Sequence, residues 1–121
     1  MLPNMHYLAL AAMAASFFIN SPQAAPQDPP KIDVPPILER IAFCESRGRH
    51  FDENGEVLLG ENKFDIGKYQ INSLHWQESA EKLGYDIYTE EGNKNMALEL
   101  YRRYGAMPWK SSKKCWGKEN K

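Results

Sequence analysis

Charge is missing from the start of this chain: residues 1–27 contain no Asp, Glu, Lys or Arg. Membrane-spanning length is missing there too. The apolar run Tyr7 to Ile19 has 13 residues, short of the roughly 20 that cross a bilayer but suited to the core of an export signal. Ahead of it, positive charge comes from the α-amino group, with His6 as the one further source, and the exit Ser21–Pro26 lacks a clean small-x-small cleavage site. Residues 1–25 are therefore expected to be a signal peptide cut near Ala24 or Ala25, with an uncleaved N-terminal anchor as the alternative. Either one places the remainder outside the cytosol. An excess of charge is also missing. Fifteen Lys and Arg face sixteen Asp and Glu, a net charge of −1, which disfavours a nucleic-acid partner. Cysteine is scarce, Cys44 and Cys115 being the only two. In an exported chain such a pair is expected to be oxidised, closing a loop that stabilises the fold by about 2–4 kcal/mol. Two buried free thiols are the alternative. His50 and His75 lack metal-ligand spacing and no cysteine is left for zinc, so no metal and no cofactor are expected.

What is present divides the chain. A length of 121 residues allows one compact domain. Six prolines between Pro22 and Pro36 mark residues 26–36 as an extended linker. The folded domain is expected over residues 37–116, with 117–121 as a basic tail. From Lys110 to Lys121 five Lys stand against one Glu, a stretch suited to an anionic surface such as cell wall or simply to solvent.

Within the domain, Pro36 suits the first turn of a helix and Gly48 its end. Ile37, Leu38, Ile41 and Ala42 supply its apolar face, with Cys44 and Glu45 on its last turn. Asn54-Gly55, flanked by Phe51 and Val57-Leu58-Leu59, predicts a short hairpin within His50–Glu61. Gly67–Asn72 reads as a short turn or helix. Asn72 or Ser73 can cap a helix that runs to Leu83 and stops at Gly84. Another begins at Thr89, carries Met96, Ala97, Leu100, Tyr101 and Tyr104 on one side, and stops at Gly105. The fold class is α+β and mainly α, with a small β-hairpin and one disulfide.

Glu45 is the first candidate for chemistry. It follows Ala42-Phe43-Cys44 at a helix C-terminus, where desolvation and the helix dipole both favour a protonated carboxyl. Cleavage of a glycosidic bond needs such an acid. The surroundings sharpen this reading. Ile41–Gly48 (IAFCESRG) resembles the catalytic-helix signature of lysozyme-like lytic transglycosylases. Gly67–Asn72 (GKYQIN) is similar to their glycine-x-x-glutamine-hydrophobic motif. Asn93–Tyr104 (NKNMALELYRRY) is similar to their third motif. Pro108-Trp109 with Cys115-Trp116 resembles the ending of resuscitation-promoting-factor domains, where the late cysteine pairs with one just before the catalytic glutamate. The resemblance spans Ile37 to Trp116. It implies a lysozyme-like fold and cleavage of the β-1,4 bond between N-acetylmuramic acid and N-acetylglucosamine. Two positions depart from the pattern: Arg47 stands where glycine is usual, and Lys68-Tyr69 replace small or aliphatic residues.

One carboxyl suffices for a transglycosylase, which first protonates the leaving oxygen and then takes the proton of the muramic C6 hydroxyl, leaving a 1,6-anhydro ring. An inverting hydrolase needs a second carboxylate to activate water. Asp52, Glu53, Glu61 and Asp65 are candidates, Asp65 the foremost, with a local turn or cap contact as its alternative role. In goose-type lysozymes an acid often stands where Asn72 stands here, which counts against a second carboxylate at that place. Gln70 can bind acetamido groups. Asn72, Tyr69 and Trp109 complete the substrate-binding set, with core packing the alternative for Tyr69. Trp76 and Trp116 are assigned to packing. The expected partner is the peptidoglycan glycan strand, met by a monomer. A binding module that holds glycan without cutting it is the rival reading, and a disulfide-stapled interaction protein is another.

Overall fold

A computed structural model describes residues 33–118. The expected leader, most of the linker and the last residues of the basic tail lie outside them. Helix α1, Pro36–Ser46, begins where Pro36 costs no hydrogen bond. It buries Leu38, Ile41 and Ala42. Its end differs slightly from expectation: Arg47, not Gly48, is the first left-handed residue, at φ 57°. The N–H groups of Arg47 and Gly48 turn back onto the carbonyls of Phe43 and Ala42. A side chain in this conformation costs about 1–2 kcal/mol relative to glycine, which is the physical content of the departure at Arg47.

The β region reaches beyond the expected place, where the hairpin is short and irregular. Around Asn54-Gly55 only the single bridge Phe51–Val57 forms. Asp52 Oδ1 accepts the N–H groups of Asn54 and Glu56 at 2.8 and 3.0 Å, and this local capture competes with a ladder. Regular pairing occurs downstream, where β1 (Asp65–Ile66) meets β2 (Ile71–Asn72) antiparallel, with Asp65 opposite Asn72 and Ile66 opposite Ile71. Alternation sends the two isoleucines into the core and the Asp–Asn pair to the other face. Gly67–Gln70 is the connecting turn, so the expected turn or helix there is a turn followed by a strand.

Helix α2, Ser73–Lys82, is capped by Asn72, whose side chain accepts the His75 N–H. Helix α3, Glu90–Tyr104, is capped by Thr89 and buries Met96, Ala97 and Leu100. Tyr104, expected on that buried side, is 48% exposed. It lies at the helix end, past the body of the core, and packs on Trp76 with ring centroids 5.6 Å apart. A 3₁₀ segment, Met107–Ser112, and the short helix α4, Lys113–Trp116, follow without having been legible in the sequence. They bring Trp109 and Trp116 into the core. Among the described residues the architecture is four α-helices beside a two-stranded antiparallel sheet.

Cys44 and Cys115 are bonded, with Cα atoms 5.9 Å apart and a sequence separation of 71. The bond ties α1 to α4. Replacing both cysteines by alanine is expected to cost about 2–4 kcal/mol in urea unfolding. A loss below about 0.5 kcal/mol would show that packing alone holds α4 in place.

Candidate active site

The turn between β1 and β2 is built before anything else at the site. Asn93 is fully buried on α3, at 0% exposure. Its Oδ1 accepts the Tyr69 N–H at 2.9 Å, and its Nδ2 donates to the carbonyls of Ile66 and Ile87, both at 2.8 Å. His50 supports the same turn. Its Nδ1 accepts the Lys68 N–H at 3.1 Å and its Nε2 lies 2.8 Å from the Tyr88 carbonyl. Those contacts assign the proton to Nε2. Gly67 sits between the two side chains at φ 74°, and a Cβ there would stand 2.4 Å from His50 Cε1 and 2.8 Å from Asn93 Nδ2. The glycine is required by both backbone and space. The Ser46 hydroxyl lies 2.7 Å from the Lys68 carbonyl, joining the end of α1 to the turn.

On this frame a groove of about 180 Å³ opens, bordered by Glu45, Asp65, Gln70, Asn72 and Trp109. Five of the sequence candidates therefore share one surface. Tyr69 does not. Its ring is only 1% exposed, so it has no free face for a ligand and belongs to the core. Burial pushes its hydroxyl pKa up to about 12. The reason is alternation: in the turn, Gln70 faces the groove while Tyr69 faces inward, where its carbonyl accepts the Trp109 indole N–H at 2.8 Å. Trp109 is itself 3% exposed and serves as floor more than wall. Of the four carboxylates considered as partners to Glu45, Asp65 alone borders the groove.

Polar contacts orient each group. Gln70 adopts φ 48° and spends its amide nitrogen on the Gly67 carbonyl at 2.9 Å, leaving Oε1 as an acceptor. Gly60 lies against it, and a Cβ there would come within 2.9 Å of that oxygen. Asp65 Oδ1 accepts Asn72 Nδ2 at 3.0 Å and Oδ2 accepts Asn62 Nδ2 at 3.3 Å. Asn72 thus caps α2 and orients Asp65 with the two ends of one amide. Glu45 Oε1 accepts a hydrogen bond from Ser112 Oγ at 2.7 Å. Its pKa is nevertheless raised: desolvation dominates, the Ser112 bond opposes it, and the Asp65 charge adds to it.

Sequence reasoning missed Ser112; Trp76, assigned to packing, does pack against the core and on Tyr104, and it also borders the groove. No local signal points to Ser112, because its place beside Glu45 depends on how residues 107–116 fold against the disulfide. A larger depression of about 470 Å³, between the end of α2 and the Tyr85–Tyr88 loop, shares no residue with the groove. Among the described residues no cluster of His, Cys, Asp and Glu is arranged to hold a metal ion. Comparison with protein families, curated proteins and solved structures finds no match to the chain.

A carboxyl with a raised folded pKa contributes its stability when protonated and loses it as pH rises through that value. Glu45→Gln is therefore expected to be more stable than the wild type at neutral pH, where Glu45 is forced towards its ionised form. The gap should close near pH 3, below the unfolded carboxyl value of about 4.3. Thermal melts at both pH values measure this, and a variant less stable at neutral pH would contradict it.

Proposed function

We propose that this protein cleaves peptidoglycan glycan strands at the β-1,4 bond between N-acetylmuramic acid and N-acetylglucosamine, as an exported lytic transglycosylase of lysozyme-like fold. The observation that carries this reading is Glu45: a carboxyl whose burial favours the protonated form, placed in a groove beside a single further carboxylate. That is the arrangement a glycosidic acid requires. Glu45 gives its proton to the glycosidic oxygen as the C1–O bond breaks. The electron-poor C1 that results is then attacked by the muramic C6 oxygen. The C6 hydroxyl proton passes to Glu45, which regains its starting state as the 1,6-anhydro ring closes.

The other groove residues fit a sugar. Gln70 Oε1 is free to accept an acetamido N–H. The groove continues past Trp76 and Pro108 onto an apolar shelf that adds Tyr104 and Met107, a surface suited to the C–H face of a pyranose. Asp65, held by two amides, offers a fixed negative charge to the electron-poor C1. Its place in the groove also favours a second reading, a hydrolase in which Asp65 activates water. Export by the uncharged leader and anchoring or release at the wall complete the proposal.

Glu45→Gln keeps the shape and loses the proton, so release of muropeptides from purified sacculi should fall at least about 10²-fold while sugar binding persists. Undiminished release would remove Glu45 from the chemistry, and no release by the wild type would leave a glycan-binding module.

Asp65→Asn separates the two mechanisms. A transglycosylase should keep most of its turnover and still yield 1,6-anhydro ends, read by mass spectrometry of the digest. A wild-type digest containing only reducing muramic acid would establish the hydrolase instead.

A further inference from the structure

We propose that Ser112 is the positioning residue of Glu45, its hydroxyl donating to one carboxyl oxygen and so leaving the other to hold and pass the proton. The inference rests on Glu45 being the acid. It is carried by four contacts. Ser112 Oγ lies 2.7 Å from Glu45 Oε1 and 3.1 Å from the Trp109 carbonyl. Trp116 Nε1 lies 3.1 Å from Ser112 Oγ and 3.0 Å from the same carbonyl.

The inventory of donors decides what this cluster can do. An indole N–H only donates and a carbonyl only accepts, whereas a hydroxyl carries one proton and two lone pairs. With Glu45 ionised, Ser112 donates to the carboxylate, and the Trp116 N–H is shared between Oγ and the Trp109 carbonyl. With Glu45 protonated on Oε2, the oxygen that Ser112 does not touch, the serine still donates to Oε1 and the acid proton is left for a glycosidic oxygen. The cluster keeps the same bonds in both states, and no heavy atom has to move. A residue that alternates between acid and base in one turnover needs that property, because reorganisation at the moment of reaction raises the barrier.

The cluster is anchored on both sides. Trp109 and Trp116 are buried, and the Cys44–Cys115 bond joins the immediate sequence neighbours of Glu45 and Trp116. The titratable groups bordering the groove from other elements are Asp65 on β1 and His75 on α2; the 3₁₀ segment lines it only with Pro108, Trp109 and Ser111. Asp65 raises the proton affinity of Glu45 and Ser112 lowers it.

The test uses the full chain as wild type, Ser112→Ala and Ser112→Thr. Carbon NMR of the Glu45 carboxyl gives its titration midpoint directly, and muropeptide release from purified sacculi gives the pH profile. In Ser112→Ala the midpoint should move to higher pH, the basic limb of the kcat profile should follow it, and kcat should fall between about tenfold and a hundredfold with KM unchanged. Ser112→Thr, which keeps the hydroxyl, should restore midpoint and limb. If Ser112→Ala does not fold, Ser112→Gly carries the same expectation without a methyl against Glu45. An unmoved midpoint, or a threonine variant that behaves like alanine, overturns the proposal. If the wild type leaves sacculi intact, the enzyme reading fails while the NMR midpoints still decide the role of Ser112.

Discussion

The buried carboxamide of Asn93 is the interaction on which the rest of the site depends. It sits on α3, out of reach of water, and meets the backbone of the β1–β2 turn and of the loop before α3 with three hydrogen bonds. An unpaired amide at such a place would cost about 1–3 kcal/mol for each group left open. The three bonds hold the turn in the observed geometry. That geometry places Ile66 and Ile71 in the core, Tyr69 beneath the turn and Gln70 above it. The glycine at 67 follows, since any side chain there would collide with His50 and Asn93.

A second constraint works from the opposite side of the groove. Glu45 ends α1, where its charge is opposed by the helix dipole, by partial burial and by Asp65 across the groove. Ser112 donates to that carboxyl and is itself joined to the two buried tryptophans, beside the disulfide. The core and the staple thus hold the hydroxyl that opposes the rise in the pKa of Glu45. Among the described residues, side chains stand on left-handed backbone at Arg47, Lys63 and Gln70, of which Gln70 borders the groove.

The residues legible in sequence were those with local signatures. The caps Asn72 and Thr89, the helix stops at Gly84 and Gly105, and the apolar faces of α1 and α3 follow from spacing within one element. The Asn54-Gly55 hairpin forms only as a short irregular one, because Asp52, two positions before it, captures N–H groups that a longer ladder would use. Tyr69 stayed open between a sugar face and core packing because motif resemblance ranks residue types and not directions, and its burial decides for the core. The 3₁₀ segment and α4 went unread because residues 107–116 carry no periodic pattern and are shaped by the disulfide and by Trp109.

By itself the sequence determined the approximate bounds of α1, α2 and α3, the pairing of its two cysteines once oxidised, and Glu45 as the carboxyl under pressure to hold a proton. These depend on neighbours within a turn or on a count of two. Tertiary structure alone decided that Asp65 and not Asp52, Glu53 or Glu61 borders the groove. It alone turned Tyr69 inward, and it alone put Ser112 on Glu45 across 67 positions of sequence. Contacts of that range are set by which buried amides, rings and sulfurs can be satisfied together, and no local pattern encodes that choice.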